Sequence, residues 1–408
     1  MAITDTRLLE RKSVVGVCAE ATPGTPATLA GPPDTTFGWI PCYEMSFTPE
    51  VGLIERDILS ASLASEQTDS VGTQFARVTF KCDVMGSNDD PDDVSTSPTG
   101  GLVWKQGTPQ WMLALRGCGF FNYYATWEDL TGASSRFGTA EKWNVWIPSN
   151  TPPEPTDGAS EMGDGKDKQC TLTIVFWKDG RQYTIAGAMG NVTFSGTAGD
   201  LLYANFEFLG VLDLVEGSQN DPAGPFDSVT PTPLSRADKL CWAVNEDKTP
   251  PTSSWELNMN NTYDIYKDVN VLKAGSYACI YESKPTLAIT TLAYDAANAE
   301  LLANKMIEVT TGTFQTVAGI AGTSGTKVQQ FLFGVPVTEI NSLDIGEETG
   351  YVVENATCKI TANGADLSDD GAILTAPASR SLWLAYGAEV ESAFLSDGTI
   401  DDPTDNTA

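Results

Sequence analysis

Paired carboxylates are the side chains in this sequence best suited to catalysis. The stretches YDIYKD (263–268) and LIERDIL (53–59) each hold acids a few positions apart, and a glycosidase needs two such groups at a defined separation in a cleft. The chain holds 54 acidic residues, however, so pairs of this kind are expected on any solvated surface. A carboxylate-based hydrolase is therefore the third hypothesis, behind two non-enzymatic ones.

Other catalytic and metal-binding chemistry is restricted by composition. The absence of histidine excludes Ser-His-Asp sites, imidazole bases and His-ligated zinc. The eight cysteines are spread along the chain without a CxxC pair, and we expect buried, reduced thiols, with disulfides as the alternative. We predict no catalytic residue, no metal site and no cofactor.

The glycine-rich stretch AGAMGNVTFSGTAGDLLYANFEFLG (186–210) raises the question of a phosphate site. A dinucleotide fingerprint needs its glycines between a strand and a helix N-terminus, whereas GAMG and SGTAGD both lead into strand patterns. GIAGTSGTK (319–327) lacks the P-loop spacing and also precedes a strand pattern. These glycines are therefore interpreted as turns of β-hairpins.

Strands are indicated by alternation of apolar and polar residues throughout the chain. Residues 76–87 place four apolar side chains on one face: Val78, Phe80, Cys82 and Val84. The stretch 170–190 is predicted as a hairpin that turns at Asp179–Gly180. In 200–210, one face holds Leu202, Ala204, Phe206 and Phe208, and the other holds Tyr203, Asn205 and Glu207. This pattern is typical of an antiparallel sandwich or barrel.

Two helices are predicted to lie against the sheets. One spans 108–120, with Pro109 in its first turn and Gly117 at its end, and the other spans 293–306. A polar segment rich in proline and glycine, 215–238, is typical of a connector. The predicted organisation is a first β-domain (1–214), this linker, a second β-domain (239–392) and an acidic C-terminal tail (393–408).

The two halves share an order of elements. SGTAGDLLYANFEF in the first half compares with IGEETGYVVENATCKI in the second, since both combine a glycine turn with a strand that contains asparagine. We interpret the halves as tandem copies of one domain, with coincidence between ordinary hairpins as the alternative.

The net charge and the hydropathy of the chain argue against binding to DNA and against insertion into a membrane. The net charge of −30 argues against a surface that grips DNA, because phosphates are contacted by Lys and Arg. No apolar run approaches the roughly 18 residues needed to span a bilayer, and the N-terminus lacks the pattern of a signal peptide. We therefore expect a protein without a membrane partner.

A binding module is the alternative to the leading hypothesis for the function, which is based on the resemblance described next. It would be a secreted β-sandwich adhesin or carbohydrate-binding module, with a platform of Trp104, Trp127, Trp143 and Trp146.

Several stretches taken in order resemble the tail tube, or major tail, proteins of long-tailed bacteriophages. They are EATPGTPATLAG (20–31), RVTFKCDVMGS (77–87), PQWMLALRGCGF (109–120) and the run from Thr171 to Val211. The resemblance covers roughly residues 12–213, apart from an acidic insertion at 87–106, and the second half matches only in layout.

This resemblance implies a mainly β protein, an antiparallel β-sandwich or half-barrel with a flanking α-helix, in two tandem copies. Such subunits assemble into stacked rings, here a trimer with pseudo-sixfold symmetry in preference to a hexamer. The resemblance further implies a virion tail protein assembled in the host cytoplasm. Its other partners would be the tape measure and terminator proteins and the genomic DNA, which passes through the lumen without specific binding.

The resemblance also assigns roles to particular residues. The loop 48–74 would contact the next ring, through the charged side chains Glu50, Glu55, Arg56, Asp57, Glu66 and Asp69. The strands of the tube wall would expose Thr193, Tyr203, Asn205 and Glu207 on one face.

Overall fold

The fold is mainly β, built from antiparallel strands with one short α-helix, and the sheet is not closed into a barrel. The computed structural model describes residues 13–28, 37–54, 70–87, 108–126, 142–149, 169–178, 181–217, 240–244, 252–270, 273, 275–292, 302, 306–307, 311–324, 327–348, 350–361 and 382–390. All statements below concern these residues.

Eighteen strands are described. Those before residue 218 are β1 (Ser13–Ala19), β2 (Gly38–Ile40), β3 (Met45–Ile54), β4 (Ser70–Asp83), β5 (Phe120–Thr126), β6 (Lys142–Pro148), β7 (Leu172–Lys178), β8 (Arg181–Thr197) and β9 (Tyr203–Gly217). The later strands are β10 (Leu240–Val244), β11 (Thr252–Asn258), β12 (Asn261–Ile265), β13 (Ala278–Ser283), β14 (Thr286–Leu292), β15 (Thr311–Ser324), β16 (Lys327–Glu348), β17 (Tyr351–Ile360) and β18 (Trp383–Val390).

Two sets of six strands follow the same spatial order. The first set runs β1–β7–β8–β9–β4–β3, and the second runs β10–β15–β16–β17–β14–β11. Every neighbouring pair in both sets is antiparallel. Within each set the six strands also occur in the same order along the chain, so each strand of the first set has a counterpart in the second.

The two sets are joined by hydrogen-bonded strands. The end of β8 pairs with β11, with Phe194 opposite Leu257, and β18 pairs with both β16 and β6. Strands from both sides of the predicted linker therefore belong to one 16-stranded sheet. β9 also continues to Gly217, three residues into the segment 215–238 that is predicted as linker.

The predicted alternation of side chains is confirmed in β4 and β9. Val78, Phe80, Cys82 and Val84 are all buried, as are Leu202, Ala204, Phe206 and Phe208. These residues belong to one buried cluster that also contains Phe331 and Phe333 of β16. The predicted hairpin at Asp179–Gly180 is confirmed by its flanking strands, since Lys178 of β7 is opposite Arg181 of β8.

The helix predicted within 108–120 is present and ends at the predicted Gly117, with its first turn in 3-10 form. A 3-10 helix spans Gln110–Leu113 and α1 spans Ala114–Gly117, with Pro109 as the N-cap and Gly117 as the last residue. Trp111, Met112, Leu113 and Leu115 are buried against the sheet. The second predicted helix, 293–306, lies almost entirely outside the described residues.

A separate two-stranded sheet, β12–β13, covers part of the opposite face of the first set. Ile265 and Ile280 from this sheet form a small buried cluster with Phe75, Met189 and Leu209. Because Phe75 alternates with Ala76 along β4, the cluster lies on the face opposite the main core.

Candidate assembly surfaces

The four residues predicted for a tube wall lie on one face of neighbouring strands. Thr193 of β8 is opposite Asn205 of β9, and Tyr203 and Glu207 follow the same alternation along β9. All four are half-buried, while the residues between them, such as Ala204 and Phe206, are fully buried. The structure therefore brings the four together on the polar face of the sheet.

Glu207 and Glu50, predicted for two different surfaces, are joined by Arg77 of β4. The guanidinium forms an ion pair with Glu207 and donates from Nε to Glu50 Oε1 at 3.1 Å. Tyr263 of β12 donates its hydroxyl to Glu207 Oε1 at 2.9 Å, and its burial and this carboxylate raise the pKa of Tyr263. These charged side chains are more than a third exposed, so the pairs contribute about 1 kcal/mol or less each.

Only Glu50 of the residues predicted to contact the next ring is described. Glu55, Arg56, Asp57, Glu66 and Asp69 lie outside the described residues. Both ends of the predicted loop 48–74 are strand, because the pairing of β3 with β4 extends to Ile54 opposite Ser70. At the last described pairs of β3 and β4, apolar side chains are exposed: Leu53, Ile54 and Val71.

Several strands, including β2, β3, β5 and β10, have an edge without a hydrogen-bonded partner among the described residues, and so does part of β16. β3 pairs with β4 on one side only, and this unpaired side is called the β3 edge. β16 pairs with β15 as far as Glu339, and the unpaired continuation of that side, residues 340–348, is called the β16 edge. Val51 and Ile345 are exposed apolar side chains at these edges. An unpaired strand edge is a template for another strand.

Tyr203 lies in a group of polar and aromatic side chains at the other end of the same face. Lys81 Nζ is 4.0 Å from the centroid of the Tyr203 ring, and the Tyr203 hydroxyl donates to Asp200 Oδ1 at 3.1 Å. The neighbouring Tyr43 donates to Asp83 Oδ2 at 2.6 Å. Burial raises the pKa of Asp83, which the Tyr43 hydrogen bond partly counteracts.

Glu20 is the most highly connected side chain that was not predicted as functional. It is buried directly after β1 and accepts four hydrogen bonds, from Gly24 N–H, Thr171 Oγ1, Thr173 Oγ1 and Gly187 N–H, at 2.7–2.9 Å. Burial raises the pKa of Glu20, and these bonds act in the opposite direction. The E-x-x-x-G-T spacing was the available signal, because Glu20 binds the residue four positions later.

The GAMGN stretch is explained by close backbone contacts. Gly187 has φ +60°, and a Cβ there would lie 2.7 Å from Tyr277 Cα. A Cβ on Gly190 would lie 1.8 Å from the backbone oxygen of Glu207. Asn191 donates to Asn258 Oδ1 at 2.9 Å and accepts from Asn261 N–H at 3.1 Å. This motif therefore positions β9 and the β11–β12 turn rather than a ligand.

The turn SGTAGD is a hairpin between β8 and β9, as interpreted from the sequence. Gly199 adopts φ +82° in this turn, and Gly350 adopts φ +85° in the corresponding β16–β17 turn. No atom lies within 4 Å of a Cβ built at either glycine. Both turns therefore contain a glycine with positive φ, but the first is longer, since its last strand pair is Ser195–Tyr203 and that of the second is Glu348–Tyr351.

The residues named for the alternative functions are only partly described. Trp146 is buried, as expected of a core side chain, whereas Trp104, Trp127 and the side chain of Trp143 lie outside the described residues. Asp264 and Asp268 accept hydrogen bonds from nearby backbone N–H groups. The seven cysteines whose side chains are described are free thiols, and burial raises the pKa of Cys170 to about 11 and of Cys358 to about 12.

Within the described part of the chain, no helix has the length and apolar character needed to cross a membrane. Comparison with known proteins adds no assignment: no family model matches the chain, and no curated protein matches it either.

Proposed function

We propose that this protein is a structural subunit of a bacteriophage tail tube, which assembles with copies of itself into stacked rings. The observation that carries the proposal is that two of the open edges, the β3 edge and the β16 edge, belong to the counterparts of β11 and β8, the strands that pair inside the chain. Soluble β proteins normally protect such edges, and pairing between subunits removes them. The exposed Val51 and Ile345 would be covered by the same contact.

The proposed subunit contains two copies of one tube domain, each an antiparallel sandwich. The shared order of the two six-stranded sets supports this duplication. Two domains per chain favour a ring of three chains with pseudo-sixfold symmetry over a ring of six.

The charge of the chain fits a conduit for DNA. A net charge of −30 per subunit repels phosphate, so a genome would move through an acidic lumen without adhering. In this proposal the protein has no catalytic role, is assembled in the host cytoplasm and becomes part of the virion tail. The tape measure protein, the terminator protein and DNA are its proposed partners.

Electron microscopy of the concentrated protein tests the proposal. We expect rings, and tubes of even bore, whose end-on views show sixfold features. A chain that remains monomeric at high concentration contradicts it, and glycan binding by such a monomer would favour the adhesin alternative.

A further inference from the structure

We propose that the β16 edge pairs with the β3 edge of a second copy of this chain, in a register set by the internal pairing of β8 with β11. This inference rests on the proposed function and identifies the contact that would close the ring. The partner is a second copy because the chain already contains the same kind of contact between its own two strand sets.

Cross-strand neighbours in the two six-stranded sets show which position of the first set corresponds to which position of the second. One row crosses β8, β9, β4 and β3 through Val192, Phe206, Phe80 and Met45. The matching row crosses β16, β17, β14 and β11 through Leu343, Ala356, Ile289 and Trp255. The rows are aligned on the asparagines of the two matching hairpins, Asn205 and Asn355. Met45 therefore occupies in β3 the place of Trp255 in β11.

The internal contact then predicts the external one. Trp255 is opposite Gly196, which lies four residues after Val192 on β8. Four residues after Leu343 on β16 is Glu347, so Met45 of the second copy would lie opposite Glu347. Antiparallel pairing then places Phe47 opposite Ile345 and Thr48 opposite Asp344.

The β16 edge is open at the place that corresponds to the β11-binding part of β8. β7 pairs with β8 as far as Ala188, and the β8–β11 pairing occupies Thr193–Thr197 beyond it. β15 likewise pairs with β16 as far as Glu339. The following residues, which include Asp344 and Ile345, have no strand on that side among the described residues.

At Met45 and Phe47 the backbone of β3 presents hydrogen-bonding groups toward the open edge, whereas Pro49, at the next such position, has no N–H to donate. Lys81 N–H donates to Glu44 C=O at 3.1 Å, so Glu44 faces β4. Because donors and acceptors alternate along an antiparallel strand, the backbone groups of Met45 and Phe47 face the open edge. The corresponding residues of β11 face β8 in the same way. Met259 N–H donates to Val192 C=O at 3.2 Å, so by alternation the backbone groups of Trp255, the counterpart of Met45, also point toward β8.

One face of the predicted contact is mainly apolar, with Glu347 as a charged exception. Ile345 is 65% exposed and Val51 is 42% exposed, and Phe47 and Leu343 are half-buried. In the predicted register the side chains of Phe47 and Val51 lie on the same face as those of Ile345 and Leu343. This is because Phe47 is opposite Ile345, and every second residue along each strand points to the same face. Pairing would therefore remove exposed apolar surface from both copies.

A disulfide between Thr48 and Asp344 tests the register. In the predicted register Thr48 and Asp344 form a non-hydrogen-bonded pair, next to the hydrogen-bonded pair of Phe47 with Ile345. The Cα atoms of such a pair are about 4.5 Å apart, which is within the range that a disulfide spans. Thr48→Cys/Asp344→Cys in one chain is expected to give disulfide-linked dimers and trimers on a non-reducing gel. Thr48→Cys/Glu348→Cys is the matched control, because residue 348 is on the same face but about 13 Å away along the strand.

The natural cysteines interfere little with this test, since burial raises the pKa of those most enclosed, Cys82 and Cys118. Each single cysteine variant is a further control. Linkage in the control pair as strong as in the test pair would overturn the register.

An edge variant provides a readout that needs no cross-link. Ile345→Asp is expected to weaken association by about tenfold or more and to leave the circular dichroism spectrum unchanged. Val269→Asp, at a fully exposed turn position away from both edges, is the control and should still assemble.

The outcomes separate this inference from the proposed function. Rings that form without the Thr48–Asp344 link, and that tolerate Ile345→Asp, would overturn the edge pairing and leave the tube proposal standing. Failure of the unaltered chain to form rings would overturn the tube proposal itself.

Discussion

The backbone N–H of Gly187 donates a 2.7 Å hydrogen bond to Glu20 Oε1, across 167 residues of chain. Glu20 follows β1, and Gly187 lies within β8 where the pairing with β9 is irregular. Gly24 N–H donates to the other carboxylate oxygen at 2.8 Å. One buried carboxylate thus connects the start of the first strand set to its central strand and explains why the acid and the glycines occur together.

Removing the Glu20 carboxylate should destabilise the fold. In Glu20→Ala four donors lose their acceptor, and buried donors without partners cost about 1–3 kcal/mol each, so we expect a loss of about 3–5 kcal/mol after partial relaxation. Glu20→Gln should lose less, because it keeps one acceptor and is neutral. Denaturant unfolding at a concentration where the chain is monomeric measures both.

Glu256→Gln, at an exposed position on β11, is the control for Glu20 and should unfold like the unaltered chain. If Glu20→Ala unfolded at the same denaturant concentration as this control, the four hydrogen bonds would not contribute to stability.

Glu354 of β17 should make stability depend on pH. Its side chain is buried, its Oε1 has no hydrogen-bond partner among the described residues, and burial raises its pKa above the ordinary value of 4.5. The folded state then holds this proton more tightly than the unfolded state, so the contribution of Glu354 to stability is present below pH 4.5 and falls as the pH rises through the folded pKa.

Glu354→Gln removes this penalty because the amide does not ionise. We expect the variant to unfold at a higher temperature than the unaltered chain at pH 7, by about 2 °C for each kcal/mol gained. The difference should disappear near pH 4. Calorimetry across this pH range tests the prediction, and a constant difference at all pH values would show that burial of the charge is not its cause.

Local features of the fold were predictable from the sequence, and long-range pairings were not. The buried faces of β4 and β9 follow from alternation, because successive side chains of any strand point to opposite faces. The pairing of Phe194 with Leu257 has no local signal, since either strand would show the same alternation beside another neighbour. The first helix also follows from local signals, because its apolar spacing and the stop at Gly117 were both in the sequence and the structure ends α1 at Gly117.

The surface residues were predictable in the same limited sense. Alternation placed Thr193 and Asn205 on the polar face correctly, but it gave no reason for Arg77 to join Glu50 to Glu207, which depends on the register of three strands. Glu20 was missed as a separate feature because a buried acid with four donors has no composition signal beyond its spacing to Gly24.

Two glycine substitutions should differ in cost for a steric reason. In Gly190→Ala the new Cβ would lie 1.8 Å from the backbone oxygen of Glu207, so β8 and β9 must separate, and we expect a loss of about 3 kcal/mol or more. In Gly199→Ala nothing lies within 4 Å, and only the φ of +82° is unfavourable, at about 1–2 kcal/mol. Equal unfolding midpoints for the two variants would contradict the close contact at Gly190.

The exposed apolar side chains at the last described pairs of β3 and β4 provide a test of contact between rings. Leu53 and Ile54 are 61% and 58% exposed and lie beyond the segment that the β16 edge would cover. If this end of the β3–β4 hairpin contacts the next ring, then Leu53→Asp with Ile54→Asp should leave single rings intact and shorten or abolish tubes, because two buried charges would replace apolar contacts. Val269→Asp with Tyr281→Asp, at two exposed positions away from β3, adds the same two charges and should form tubes of normal length. Tube lengths measured by electron microscopy decide the matter: normal tubes from the double variant would place the contact between rings elsewhere on the subunit, and loss of the rings themselves would assign the hairpin to the contact within a ring.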